Sequence, residues 1–126
     1  MTSTEILACV DRKYPNVETQ ANKIIDLNRI QKTLFMKLKT IVSKSKVSYY
    51  DRTPTTIAIA NLSESPTLEA DYHDLLVFAL IQELASQGDN PDTEIADYYQ
   101  RKYDEFLNDI KESITASDDC SVEEWW

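Results

Sequence analysis

Residues Leu68 to Ile114, LEADYHDLLVFALIQELASQGDNPDTEIADYYQRKYDEFLNDIKESI, decide the fold. Apolar side chains recur at Leu68, Tyr72, Leu75, Leu76, Ala79, Leu80 and Leu84, the spacing of one helix face. A second stripe follows at Ile95, Tyr99, Tyr103, Phe106, Ile110 and Ile114. Between them lies Gly88, the chain's only glycine, which suits the left-handed residue that closes a helix. Ser65-Pro66 supplies a start signal for the first helix, with Ser65 as N-cap and Pro66 at the first helical position. Asn90-Pro91 opens the second, and Asp92 and Glu94 fall in its first turn, where acids complement the helix dipole. The stretch predicts a helical hairpin.

Working outward, Thr2-Ser3-Thr4-Glu5 is a capping box that starts a helix at once, over about Ser3 to Lys13, and Pro15 forces its end. A long helix is expected from about Glu18 to Ser43, with Ile24, Leu27, Ile30, Leu34, Phe35, Leu38, Ile41 and Val42 on one face. A helix of that length needs cover along most of one side, and the later hairpin supplies it. Leu76, Leu80, Tyr103, Phe106 and Leu34 are expected to meet in one cluster between three helices. The runs Val47 to Asp51 and Thr55 to Leu62 are rich in Val, Tyr, Thr and Ile, and Arg52-Thr53-Pro54 reads as a turn. Together they predict a β-hairpin over about 47–62. Residues 117–126, SDDCSVEEWW, depart from the helical pattern and read as an extended acidic tail. The expected architecture is therefore mainly α, a bundle of about four helices with one small β-hairpin. Residues 1–116 form the domain and 117–126 the tail.

Composition narrows the functional classes. A chain of 126 residues with 42% apolar content is long enough for one domain with a core. One glycine and four prolines favour long helices over a turn-rich sandwich. No signal peptide and no membrane-length apolar run are read, so no membrane partner is expected. Cys9 and Cys120 lack metal or redox spacing. Charge is segregated along the chain. Residues 1–88 carry ten acids and ten bases, while residues 89–126 carry twelve acids and three bases, the whole of the net −9. Eight bases fall within residues 23–52, against Asp26 and Asp51. The ordinary reading is a solvated basic helix and a solvated acidic one. The sharper reading is a molecule whose basic surface meets the acidic surface of another copy.

No catalytic constellation stands out. His73 is the only histidine and reads as a surface or boundary residue on the polar edge of its helix, hydrogen-bonded locally. The carboxylate pairs Asp71 and Asp74, Asp104 and Glu105, and Asp118 and Asp119 read as solvated runs, not as an acid–base pair in a cleft. There is no Gly-rich phosphate loop. No catalytic, metal or cofactor residue is assigned, and the chain is not expected to be an enzyme. The net charge disfavours sequence-specific DNA binding. Tyr98, Tyr99, Tyr103 and Phe106 read as helix–helix contacts, whereas Trp125 and Trp126 read as an interface anchor.

The helix with Tyr-His-Asp-Leu-Leu-Val-x-Ala-Leu, the Gly-Asp turn and the helix with Tyr-Tyr-x-x-x-Tyr-x-x-Phe-Leu together resemble the head-to-tail adaptor (connector) proteins of tailed bacteriophages. The opening T-x-x-E-I-L-x-x-V-D-x-x-Y-P and the helix I-I-D-L-N-R-I-Q-K-T-L-F-x-K-L extend the resemblance over roughly Thr2 to Ile114. Where the family usually has Leu-Pro-x-Asp before the third major helix, this chain has Ser63-Glu64-Ser65-Pro66. The resemblance implies a structural protein of the virion at the head–tail interface, present in the host cytoplasm during assembly. It implies a dodecameric ring that docks on the portal protein after packaging, receives the next neck or tail protein, and lets DNA pass without specific contact. The expected portal-docking residues are Val122, Glu123, Glu124, Trp125 and Trp126. The expected inter-subunit residues are Lys37, Lys39, Lys44, Lys46, Tyr49, Tyr50 and Arg52. Two other classes fit the composition, an acidic helical inhibitor that mimics DNA and a tail-assembly chaperone.

Overall fold

The computed structural model describes residues 1–87 and 90–123, with side chains through residue 113. Five α-helices occur among the described residues, α1 (Ser3–Lys13), α2 (Gln20–Ile41), α3 (Val47–Tyr50), α4 (His73–Ser86) and α5 (Thr93–Glu123). The mainly α class is as expected, whereas the β-hairpin is absent, and no strand occurs among the described residues.

The first helix starts as its sequence dictates. Thr2 Oγ1 accepts from the Glu5 amide at 3.2 Å and Glu5 Oε1 accepts from the Thr2 amide at 3.0 Å. Two further amides of that first turn donate to the connector, Ser3 to the Glu64 carbonyl and Thr4 to the Leu62 carbonyl, each at 3.0 Å. Helix α2 is capped by Thr19, whose hydroxyl accepts from the Asn22 amide, and it buries Ile24, Leu27, Ile30, Leu34, Phe35 and Leu38.

Helix α4 is the axis of the bundle. It buries eight of its 14 residues, around most of its circumference, where the sequence showed a single apolar face. It packs most extensively on α5 and also on α1 and α2, while α2 and α5 meet only along a narrow seam. Leu34, Leu76, Leu80 and Tyr103 share one core, and Phe106 lies half-buried against it, edge-on to Tyr72 at 6.4 Å.

Five local readings need correction. The segment expected to form the hairpin is held by side chains in place of a partner strand. Asn28 of α2 donates from Nδ2 to the Ile57 carbonyl at 2.8 Å and accepts the Ile57 amide at 2.7 Å, the pair of bonds a neighbouring strand would make. Thr67 Oγ1 accepts from the Thr55 amide, and Asn61 Oδ1 from the Ala58 amide. At Val47–Tyr50 ring packing favours one helical turn over a strand. Tyr50 meets Phe35 edge-on at 5.0 Å and Tyr49 does the same with Tyr50.

The third helix does not begin at Ser65-Pro66. It begins at His73, after a 3₁₀ turn at Ala70–Tyr72. Both backbone groups of Leu68 are already engaged, its amide with Gln31 Oε1 at 3.2 Å and its carbonyl with His73 Nε2 at 2.7 Å, so the preceding residues stay irregular. Helix α5 begins at Thr93 and not at Pro91. Asp92 is its cap, accepting the Ile95 amide through Oδ1 and the Ala96 amide through its carbonyl. The backbone of residues 117–123 continues this helix where an extended tail was expected. The expected role of Gly88 lies outside the described residues.

His73 is the remaining correction. It is 2% exposed, not a surface residue. Because a carbonyl only accepts, Nε2–H donates to Leu68 and Nδ1 accepts from the Met1 amino group at 3.0 Å. Burial pushes the imidazole pKa down, the Leu68 carbonyl opposes that, the Met1 ammonium reinforces it, and Asp74 opposes it again.

Two stability predictions follow from these clamps. Asn28→Ala strands two backbone groups of Ile57 and is expected to cost about 1–3 kcal/mol in urea denaturation. An unchanged midpoint would mean water replaces the clamp. His73 is neutral in the folded chain, and its pKa is about 6.5 once unfolded. Below that pH the unfolded state takes up a proton that the folded state refuses, so stability falls as pH drops through 6.5 toward the lowered folded value. Above that range the contribution is level. The difference in stability between wild type and His73→Gln, measured from pH 7.5 to 5, should therefore shrink on acidification. A constant difference would show that the histidine does not titrate with folding.

Candidate functional site

The residues expected at a subunit boundary separate into three places. Lys39, Lys46, Tyr49, Tyr50 and Arg52 assemble where α2, α3 and the segment after α3 meet. Lys39 Nζ pairs with Asp51 at 2.7 Å and Lys46 Nζ with Glu69 at 3.1 Å. The bond to Glu69 holds the Lys46 ammonium pKa up, and the lysine also faces the Tyr72 ring at 5.9 Å. Tyr50 donates to the other Glu69 oxygen at 2.8 Å. Burial, reinforced by Glu69, pushes its phenol pKa far up, so the hydroxyl remains a donor. Tyr50 is 2% exposed, and its ring is spent inside the chain's own core. Tyr49 donates to the Thr67 carbonyl, and the Arg52 guanidinium stacks 4.2 Å from the Tyr49 centroid. Much of the expected boundary chemistry thus fastens the connector internally.

Lys37 lies elsewhere, with Nζ 3.3 Å from Tyr103 Oη and 4.9 Å from the ring centroid. It borders a cavity of about 150 Å³ where three helices converge, lined also by Arg29, Thr33, Gln82, Glu83 and Gln100. Arg29 is neutralised there by Glu83 at 2.7 Å, a bond that raises its pKa. Lys44 stands exposed in the 3₁₀ turn Lys44–Lys46, two residues before Lys46 and with no ion-pair partner among the described residues. The portal-docking residues Val122, Glu123, Glu124, Trp125 and Trp126 have side chains outside the described residues.

Two surfaces remain open. Along the outside of α2, Ile25 and Met36 are 64% and 68% exposed, with Lys32 between them. A groove of about 290 Å³ runs beside Met36, lined by Lys32, Lys39, Arg52 and Pro54 and by one acid, Asp51. Along the outside of α5, Glu94, Asp97, Glu105 and Asp109 are exposed around Tyr98, itself 48% exposed. No base of α2 pairs with an acid of α5 among the described residues.

The sequence reading missed Asn28 and Gln31 as connector clamps. Gln31 carried a signal, since a polar residue between Leu27 and Leu34 falls on the buried face. Asn28, at the rim of that face, carried none. No group of three or more histidine, cysteine or acidic side chains is placed to hold a metal among the described residues. No described helix is long and apolar enough to cross a membrane. No family model, curated protein or solved structure matches this chain.

Proposed function

We propose that this chain is a head-to-tail adaptor of a tailed bacteriophage, a structural protein that joins the DNA-filled head to the neck. Copies form a ring on the portal protein after packaging and present the surface on which the next neck or tail component assembles. The observation that carries this reading is the order of motifs over roughly Thr2 to Ile114, an opening capped helix, a long helix, a connector and a Tyr-rich helical pair. The reading is mechanical. The bundle around α4 is the rigid body, the clamped connector presents a fixed surface, and the net charge of −9 suits a conduit through which DNA slides without adhering.

The portal contact in this reading is the terminal segment Val122-Glu123-Glu124-Trp125-Trp126. Two indoles can each bury on the order of 200 Å², and the neighbouring acids complement a basic surface around them. In sequence this segment follows Ile110, the last buried core residue among those described, so its removal should leave the fold intact. Deleting Ser121–Trp126 is expected to leave the melting temperature nearly unchanged and to abolish attachment to DNA-filled, portal-bearing heads, scored by co-sedimentation and electron microscopy. A truncated chain that still completes infectious particles at normal yield would remove the tail from the mechanism. A full-length chain that binds no such head, but inhibits a nucleic-acid enzyme, would sink the adaptor reading in favour of a DNA mimic.

A further inference from the structure

The outer faces of α2 and α5 are both exposed to solvent. They differ in sign. On α2, residues Ile25, Lys32, Met36 and Lys39 follow one another at seven-, four- and three-residue spacing, so they share one side of the helix. Lys32 has no ion-pair partner among the described residues, although the chain holds 22 acids. On α5, Glu94, Asp97, Tyr98, Glu105 and Asp109 share the side opposite the buried Tyr103; Arg101 lies among them, and Lys102 at their edge sets its Nζ 5.4 Å from the Tyr98 ring centroid, so the face carries four acids against two bases.

A single copy cannot bring these surfaces together, because each points away from the α4 axis that α2 and α5 both cover. Two α2 faces would set lysine against lysine, and two α5 faces acid against acid. Only the unlike pairing is attractive, and it needs a second copy.

We infer that the basic outer face of α2 in one copy docks on the acidic outer face of α5 in a second copy, head to tail. Tyr98 of the second copy seats in the groove beside Met36, where it meets a thioether and the Arg52 guanidinium. Asp97 and Glu105 of the second copy lie to either side, against Lys32 and Lys39. Lys39 retains Asp51 as its internal partner, so Lys32 is the cation whose charge is completed by the contact. A contact of this kind uses different patches on its two sides, so each copy keeps one face open and assembly continues until it closes. The closure into a ring rests on the adaptor reading, whereas the pairwise contact stands on the two surfaces alone.

The test uses the full chain and two variants, Lys32→Glu with Met36→Glu, and Asp97→Lys with Glu105→Lys. All four substituted side chains are exposed and none has a hydrogen-bond or ion-pair partner among the described residues, so thermal midpoints should match wild type. In sedimentation velocity, wild type should self-associate with concentration at about 20 mM salt and dissociate by about 0.5 M, where charges more than a few Å apart are screened. Each variant alone should stay monomeric. An equimolar mixture should regain association, since each variant retains the face that the other lacks and the two reversed faces are themselves of opposite sign. A wild type that remains monomeric at millimolar concentration and low salt overturns the inference, and so does a mixture that stays monomeric. Wild type that stays monomeric yet attaches to portal-bearing heads removes this contact and leaves the adaptor reading standing. Wild type that self-associates but ignores such heads does the reverse.

Discussion

The burial of α4 is the constraint on which the rest of the molecule depends. Leu75, Leu76, Val77, Leu80, Ile81, Leu84 and Ala85 occupy most directions around the helix, so water must be excluded from most of its circumference, with Asp74 and Ser86 left exposed. A helix that is apolar over most of its circumference is stable in water only as the centre of a bundle. Its cover comes from α1, α2 and α5, each of which has one apolar stripe and turns it inward. The same requirement places α2 and α5 on flanks of α4 with their polar sides outward. Segregation of charge along the chain thereby becomes segregation of charge on the surface.

The connector between α3 and α4 shows how far local patterning carries and where it stops. The Thr-Thr-Ile-Ala-Ile-Ala run at 55–60 has strand-like alternation, and its backbone is extended at Ala58 before entering the 3₁₀ turn Ile59–Asn61. A strand, however, is defined by what accepts and donates to it. Here that partner is the Asn28 side chain on α2, 29 residues away, and nothing in the run itself announces it. In the same way, Ser65-Pro66 is a sound helix start in isolation, yet Gln31 and His73 capture Leu68 and delay the helix. The helices α1 and α2 and the pairing of α4 with α5 were readable, because they follow from periodicity and capping within each segment. The connector was not, because long-range side-chain bonds decide it.

The basic residues around α3 illustrate a second limit. Lys39, Lys46 and Arg52 stand out in the sequence as surplus positive charge, and counting them suggests an external partner. Asp51, Glu69 and the Tyr49 ring answer all three within the chain. Partly exposed ion pairs of this kind are worth only about 0–1 kcal/mol each. Their effect is to settle the direction of side chains that already pack against the Phe35–Tyr49–Tyr50 cluster. Lys32 carries no more charge than they do. It differs in that no described acid forms an ion pair with it, a distinction invisible to composition.

Helix α5 raises the opposite question, of what its far end is for. Its 31 residues span about 46 Å, while the 14 residues of α4 span about 21 Å. The two run antiparallel, with Tyr99 against Phe78 and Phe106 against Tyr72. Tyr72 directly precedes the first residue of α4, so the backbone beyond about Ile110 continues without that helix alongside. A free helical segment of about a dozen residues is marginal in water. The sequence makes this one less favourable still, since Asp118, Asp119 and Glu123 fall in its last turns, at the negative end of the helix dipole. Acids in that position cost stability in isolation and recover it against a basic surface. Acids at that end favour a basic partner surface over water, which is why the portal contact is proposed at the C-terminal end and not in the core of the bundle.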